Sequence, residues 1–331
     1  MHGCHTASSE RCRRSLLCIS GRAANCHGTA RKDLHVSARL AVCQIALREI
    51  GGNSLGRYHA VPASFSNASM LILLSPAKSL DFDTPPHTSI ASRPGFLDHS
   101  APLIDLLRER SPAQIATLMT LSDKLAALNA ARYVEWTLEH ERPVAKQAVL
   151  AFDGDVYDGL HAKSIPAEKL EGYLQAHLGI LSGLYGLLRP LDLIRPYRLE
   201  MGTRLESPRG KDLYAYWGTV IADAIERRLD TLMEEGESRE VVNLASNEYS
   251  KAARLGSLRA RVVTPVFQEF RNGQYKIVSF SAKRARGAMT RFAIDHNITE
   301  AESLKAFDHD GYAFDAKASD ADTWYFRRRA A

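Results

Sequence analysis

Between residues 178 and 218 the chain interleaves glycine, proline, arginine and aromatic residues in a mixture for which an ordinary core helix has no use. Proline fixes φ and has no N–H to donate, while glycine permits left-handed backbone and close approach. Six basic residues, Arg189, Arg195, Arg198, Arg204, Arg209 and Lys211, are spread through the same segment. Their guanidinium groups present forked donors that match phosphate and carboxylate. The segment reads as one that builds a surface, not one that merely fills a core.

The charge is unevenly placed. The formal net charge is +5, yet residues 1–69 hold nine Lys/Arg against three Asp/Glu, and residues 70–331 hold 34 against 35. Net charge therefore gives no argument for nucleic acid in the larger part of the chain. All five cysteines (Cys4, Cys12, Cys18, Cys26, Cys43) precede Met70, at spacings that match no zinc or disulfide pattern. A body without thiols is neither a thiol peroxidase nor a cysteine-ligated iron–sulfur protein. No run approaches the roughly 20 apolar residues of a membrane span.

Along residues 70–331 the pattern predicts a buried strand over 70–74, then a Ser75-Pro76 break and a loop carrying Lys78. Helices are expected over 98–110, from the Ser111-Pro112-Ala113-Gln114 capping box, and from Ser122. The last of these is expected to turn Leu125, Leu128, Ala131 and Tyr133 toward the core. Gly154 and Gly159 are read as chain breaks, residues 167–177 as helical and 211–233 as one long amphipathic helix. Residues 241–244 read as a buried strand entering a helix near Asn247. Asn272-Gly273 between two apolar runs predicts a hairpin over 261–281. A basic helix over 283–296 and a terminal strand pair complete a mixed α/β domain with a mixed sheet.

Residues 251–291 carry ten basic residues and one acid, Glu269. The acids that usually interleave a solvated face are missing, so the field is asymmetric and able to steer a polyanion. The plain alternative is a solvated helix-and-hairpin surface. Asp153-Gly154-Asp155 with Asp158 resembles a calcium loop only in part, because Tyr157 takes a ligand position. The seven histidines beyond Met70 have no metal-ligand spacing, and no metal or cofactor is expected.

Six spaced blocks carry a resemblance to a known family. They are LILLSPAKSLDF (71–82), LMTLSDKLAALNAARY (118–133), AFDGDVYDGL (151–160), the segment 178–218, NLASNEYSKA (243–252) and SFSAKRARGAMTRF (279–292). In this order they resemble the YaaA proteins, bacterial peroxide-stress proteins, over essentially residues 70–327. The resemblance implies a family-specific fold with a helix-hairpin-helix element, for which Gly183-Leu184-Tyr185-Gly186 is the candidate hairpin. It also implies a cytoplasmic, membrane-free, DNA-binding protein that limits iron-dependent oxidative damage to DNA.

The expected DNA contacts are Lys78, Lys124, Gly183, Gly186, Arg189, Arg198, Lys211, Lys251, Lys283, Arg286 and Arg291. No residue is assigned a catalytic role. Residues 1–69 are expected to be a disordered extension upstream of the natural start, because the family's opening strand begins at Met70. Their arginine-rich, acid-poor composition also suits a transit peptide.

The alternative is an enzyme acting on a nucleotide or nucleic-acid base. Its motivation is the set Lys78, Asp123, Lys124, Asp155, Arg198, Glu200, Asn243 and Glu248, since binding alone rarely needs carboxylates beside arginines. An enclosed pocket of convergent lysine and acid favours the enzyme, and an open basic groove favours the binding protein. A protein-interaction module would instead show a large apolar patch.

Overall fold

The computed structural model describes residues 68–232 and 238–329. The expectation for residues 1–69 lies outside the described residues, apart from Ala68 and Ser69, which already belong to the first strand.

An eight-stranded mixed sheet forms the frame. Its strands are β1 (Ala68–Leu74), β2 (Leu178–Ser182), β3 (Gly186–Leu188), β4 (Ser238–Asn243), β5 (Arg261–Arg271), β6 (Gln274–Lys276), β7 (Ala313–Phe314) and β8 (Thr323–Arg329). They lie in the order β7-β8-β5-β4-β1-β2-β3, with β6 beside β5. Strands β8, β5, β4, β1 and β2 run parallel, while β3, β6 and β7 pair antiparallel. The principal helices are α1 (Leu97–Arg108), α2 (Pro112–Met119), α3 (Asp123–Glu135), α4 (Asp155–Leu160), α5 (Leu213–Trp217), α6 (Val220–Leu232), α7 (Asn247–Ala252) and α8 (Ser279–His296).

Met70-Leu71-Ile72-Leu73-Leu74 has no polar residue because both faces of β1 are covered, as expected of a parallel strand. Burying each of these side chains contributes about 1.5–3 kcal/mol. Strand β5, by contrast, buries Val263, Pro265, Phe267 and Glu269 and leaves the residues between them partly exposed. Asn272 (φ 51°) and Gly273 (φ 81°) turn the chain into β6, as their sequence predicts. The capping box also forms: Ser111 Oγ accepts from the Gln114 N–H at 3.3 Å, and Gln114 Oε1 accepts from the Ser111 N–H at 2.8 Å.

Five local expectations are corrected. Helix α8 starts at Ser279, four residues before Lys283, which leaves β6 only three residues long. Residues 211–233 hold two helices, because Gly218 adopts φ +52° and ends α5. Helix α3 buries Ala126, Asn129 and Tyr133, while Leu125 and Leu128 are 40% and 45% exposed. The Tyr133 hydroxyl donates to the Arg198 carbonyl, and this anchor sets the rotation of the helix.

Gly159 does not break the chain. It lies inside α4 against α8, where an added Cβ would sit 2.0 Å from the Arg284 carbonyl oxygen. Gly287 answers it from α8, its virtual Cβ 1.8 Å from the Val156 carbonyl oxygen.

Residues 178–188, the fifth case, form a β-hairpin (β2 and β3) in place of the expected helix-hairpin-helix element. Gly183 and Gly186 are both buried there. The Gly183 carbonyl accepts from Trp217 Nε1–H at 2.9 Å, and a Cβ on Gly186 would come within 2.7 Å of the Trp217 ring. These glycines make room for the protein's own aromatic core.

Candidate functional site

Adjacent parallel strands β1 and β4 end side by side, with Leu73 paired to Asn243. The chain enters β2 on one side of β1 and β4 on the other, so their carboxyl ends open a crevice of the kind that open α/β sheets use for ligands. The two exit loops are tied together: Ser75 Oγ accepts from the Ser246 N–H at 2.8 Å and lies 3.3 Å from Ser246 Oγ. From α4 the Tyr157 hydroxyl donates to the Ser75 carbonyl at 3.1 Å.

Above this floor lies a pocket of about 460 Å³, within the range of small-ligand sites. Five chain regions supply its charges. Lys78 comes from the β1 exit loop, Asp153 and Asp155 from the start of α4, Arg198 and Glu200 from the Gly/Pro/Arg segment, and Glu248 from α7. Helix α8 adds Lys283 and Arg286. Tyr197 and Tyr249 line the pocket as buried phenols, and burial pushes both above the usual tyrosine range.

Most of these charges are already paired. Glu200 accepts from Lys78 Nζ at 2.8 Å through one oxygen and from Arg198 Nη2 at 2.9 Å through the other. Burial works to raise the Glu200 carboxyl, but the hydrogen bonds from Lys78 and Arg198 outweigh it and hold it below the usual carboxylate range. Lys283 Nζ lies 3.3 Å from Asp155 Oδ2. Glu248 Oε1 accepts the Gly202 N–H at 2.8 Å, and Glu248 makes no ion pair among the described residues.

Arg286 is different. Its half-buried guanidinium has no hydrogen-bond acceptor and no carboxylate partner among the described residues, and burial lowers its pKa with no anion to offset it. A guanidinium stays protonated even so.

Of the expected DNA contacts, Lys78, Arg198, Lys283 and Arg286 converge here, and the rest do not. Lys124 and Lys211 are exposed elsewhere. Arg189, itself exposed, is tied down within the protein: it bonds Asp192, a buried carboxylate that also accepts from Ser92 Oγ at 2.6 Å. Lys251 lies over the Tyr214 ring at 4.5 Å, outside this pocket. Arg291 pairs with Asp295 at 2.9 Å, one helical turn on.

From the second set, Asp155, Glu200 and Glu248 join the pocket. Asp123 is exposed on α3, and buried Asn243 caps its own loop by accepting from the Ala245 N–H at 3.2 Å. Sequence reasoning missed Ser246 and the paired role of Ser75, although both lie in blocks that carry the family resemblance. Only the parallel pairing of β1 and β4 brings them together. No three His, Cys, Asp or Glu side chains among the described residues are grouped to hold a metal.

The model of a protein family described as peroxide stress protein YaaA matches residues 70–318. The chain belongs to that family. Similar relatives bear the name UPF0246 protein. The one from Ralstonia pickettii (strain 12J) is 59% identical over 260 residues, which cover 78% of this chain and 99% of the relative. That of Janthinobacterium sp. (strain Marseille) is 56% identical over 260 residues, 78% of this chain and 99% of its own. A Burkholderia mallei (strain SAVP1) relative is 57% identical over 261 residues, 79% and 99% respectively. The family match spans every segment that lines the pocket, from Ser75 to Arg286. Among the described residues no helix is long and apolar enough to cross a membrane.

Proposed function

We propose that this peroxide stress protein of the YaaA family binds DNA, and that it does so by taking one nucleotide unit into the pocket at the carboxyl ends of β1 and β4. The observation that carries this reading is the convergence of Lys78, Arg198, Lys283 and Arg286 from three separate chain regions onto one pocket, with Arg286 lacking a counter-ion. An open groove tracking many phosphates would need the remaining basic candidates on the same face. Lys124, Arg189, Lys211, Lys251 and Arg291 do not line this pocket. Occupying DNA in this way withholds it from iron-driven oxidation, which is the route proposed for limiting peroxide damage.

A second reading is favoured by Asp155, Glu200 and Glu248 standing among the cations, since lysine and acid converging in one pocket is the arrangement that distinguishes an enzyme from an open binding groove: the pocket also performs chemistry on the unit it holds. Incubating oligonucleotides with the protein and resolving the products by mass spectrometry separates the two readings. Unchanged oligonucleotides leave a binding protein.

The binding reading is tested by the salt dependence of oligonucleotide affinity in wild type and in Lys283→Gln/Arg286→Gln. Each phosphate neutralised on a single strand, the form this pocket can admit, contributes roughly −0.7 to the log–log slope. Because Asp155 already neutralises Lys283, the double variant should flatten the slope by about one phosphate, not two. A wild-type slope and affinity in the variant would place DNA on another surface.

A further inference from the structure

Among the residues that line the pocket, Arg286 and Glu248 are the two half-buried charges that no described neighbour neutralises; Asp153, also unpaired, is exposed. One is a cation and the other an anion, yet they do not meet: no ion pair joins them. A half-buried guanidinium that no protein carboxylate neutralises is free to take a ligand anion, to which it offers charge-assisted, forked hydrogen bonds. Glu248 is fixed for use from the other side. The Gly202 N–H holds Oε1 at 2.8 Å, and Oε2 has no protein donor among the described residues.

Resting on the reading that nucleic acid enters this pocket, we propose that Arg286 and Glu248 form a two-pole site for a nucleoside monophosphate unit. Arg286 takes the phosphate and Glu248 accepts N–H or O–H donors of the base or sugar. The guanidinium fork matches two phosphate oxygens, and a carboxylate reads amino donors on a base edge. Phosphate alone fits one pole and a nucleoside alone fits the other, so only a nucleotide engages both. A volume of about 460 Å³ admits one such unit and excludes a duplex. Tyr197 and Tyr249 supply aromatic surface beside it, and the paired Lys78–Glu200–Arg198 group holds that wall without competing for the phosphate.

The test is calorimetric titration of the full chain with the four deoxynucleoside 5′-monophosphates, the matching nucleosides and inorganic phosphate. Arg286→Gln should weaken the monophosphate about 10- to 100-fold, the range for a lost charge-assisted hydrogen bond, and leave the nucleoside unchanged. Glu248→Gln should weaken nucleoside and monophosphate by the same factor and leave inorganic phosphate unchanged. Arg286→Lys keeps the charge without the fork, so its loss should fall between wild type and Arg286→Gln. It also keeps the test decisive should the glutamine variant fail to fold.

Equal loss of nucleoside and monophosphate in the Arg286 variants overturns the assignment. So does wild-type affinity in all three variants. If oligonucleotides bind wild type and no monophosphate does at millimolar concentration, the two-pole site falls and the DNA reading stands. If neither binds, both fall.

Discussion

Replacing Gly287 by alanine should destabilise this protein, against the rule for an ordinary helix. In an open helix interior the change stabilises by about 0.8–1.0 kcal/mol, because alanine has less backbone entropy to lose. Gly287 has ordinary helical backbone and sits inside α8, so that gain is available in principle. Its new Cβ, however, would stand 1.8 Å from the Val156 carbonyl oxygen and 2.7 Å from the Leu160 nitrogen, both backbone atoms of α4. Backbone cannot rotate away as a side chain can, so the two helices must separate. Overpacking of this kind costs typically 1–3 kcal/mol, and a backbone clash falls at the upper end.

The net loss is then about 1–2 kcal/mol after the helical gain. At roughly 2–4 °C per kcal/mol for a domain of this size, the melting temperature should fall by about 2–8 °C. Thermal unfolding followed by circular dichroism measures it, with Gly159→Ala, whose Cβ meets the Arg284 carbonyl oxygen at 2.0 Å, as a parallel case. Because Lys283 and Arg286 ride on α8, nucleotide affinity should fall as well, even where the variant remains folded at the assay temperature. A variant that melts at or above the wild-type temperature would refute the close helix contact and, with it, the positioning of Arg286 by that contact.

Two other outcomes are expected. Glu269 is held by Arg271 at 2.7 Å and Arg328 at 2.6 Å; burial works to raise its carboxyl, but hydrogen bonds from Ser281, Arg328 and Arg271 outweigh it and bring it to about 2. A depressed folded pKa gives stability that is complete above the unfolded value near 4.5 and lost as pH falls through about 2. Glu269→Gln should therefore lower the melting temperature at pH 6 and flatten its decline between pH 4.5 and 2; parallel wild-type and variant curves would count against the ion-pair argument. A chain starting at Met70 should keep a single cooperative melt, because Met70–Leu74 retain their pairing to β4 and β2, and loss of solubility or cooperativity would show that the preceding residues are needed.

Much of the local structure is written in short-range chemistry. Asn272-Gly273 specifies a turn with two left-handed residues, Ser111 with Gln114 specifies a helix start, and an unbroken apolar pentapeptide specifies a strand covered on both faces. The eventual pocket charges Lys78, Asp155, Arg198, Glu200, Glu248, Lys283 and Arg286 were all legible as chemistry-bearing residues in the blocks that resemble the family.

What sequence could not decide is which of them meet. Gly183 and Gly186 suit either a phosphate-binding hairpin or a tight β-turn, and only the Trp217 ring packed on them selects the second. Leu125 and Leu128 obey the helical period, yet the hydroxyl of Tyr133 reaches the Arg198 carbonyl and rotates them outward. Arg286 and Arg291 look alike along the chain, but one faces an i+4 aspartate on its own helix and the other faces a pocket built from segments more than 200 residues apart. Pairing at i, i+4 is local and can be read from spacing. Convergence at the carboxyl ends of β1 and β4 depends on strand order, which no short window of sequence contains.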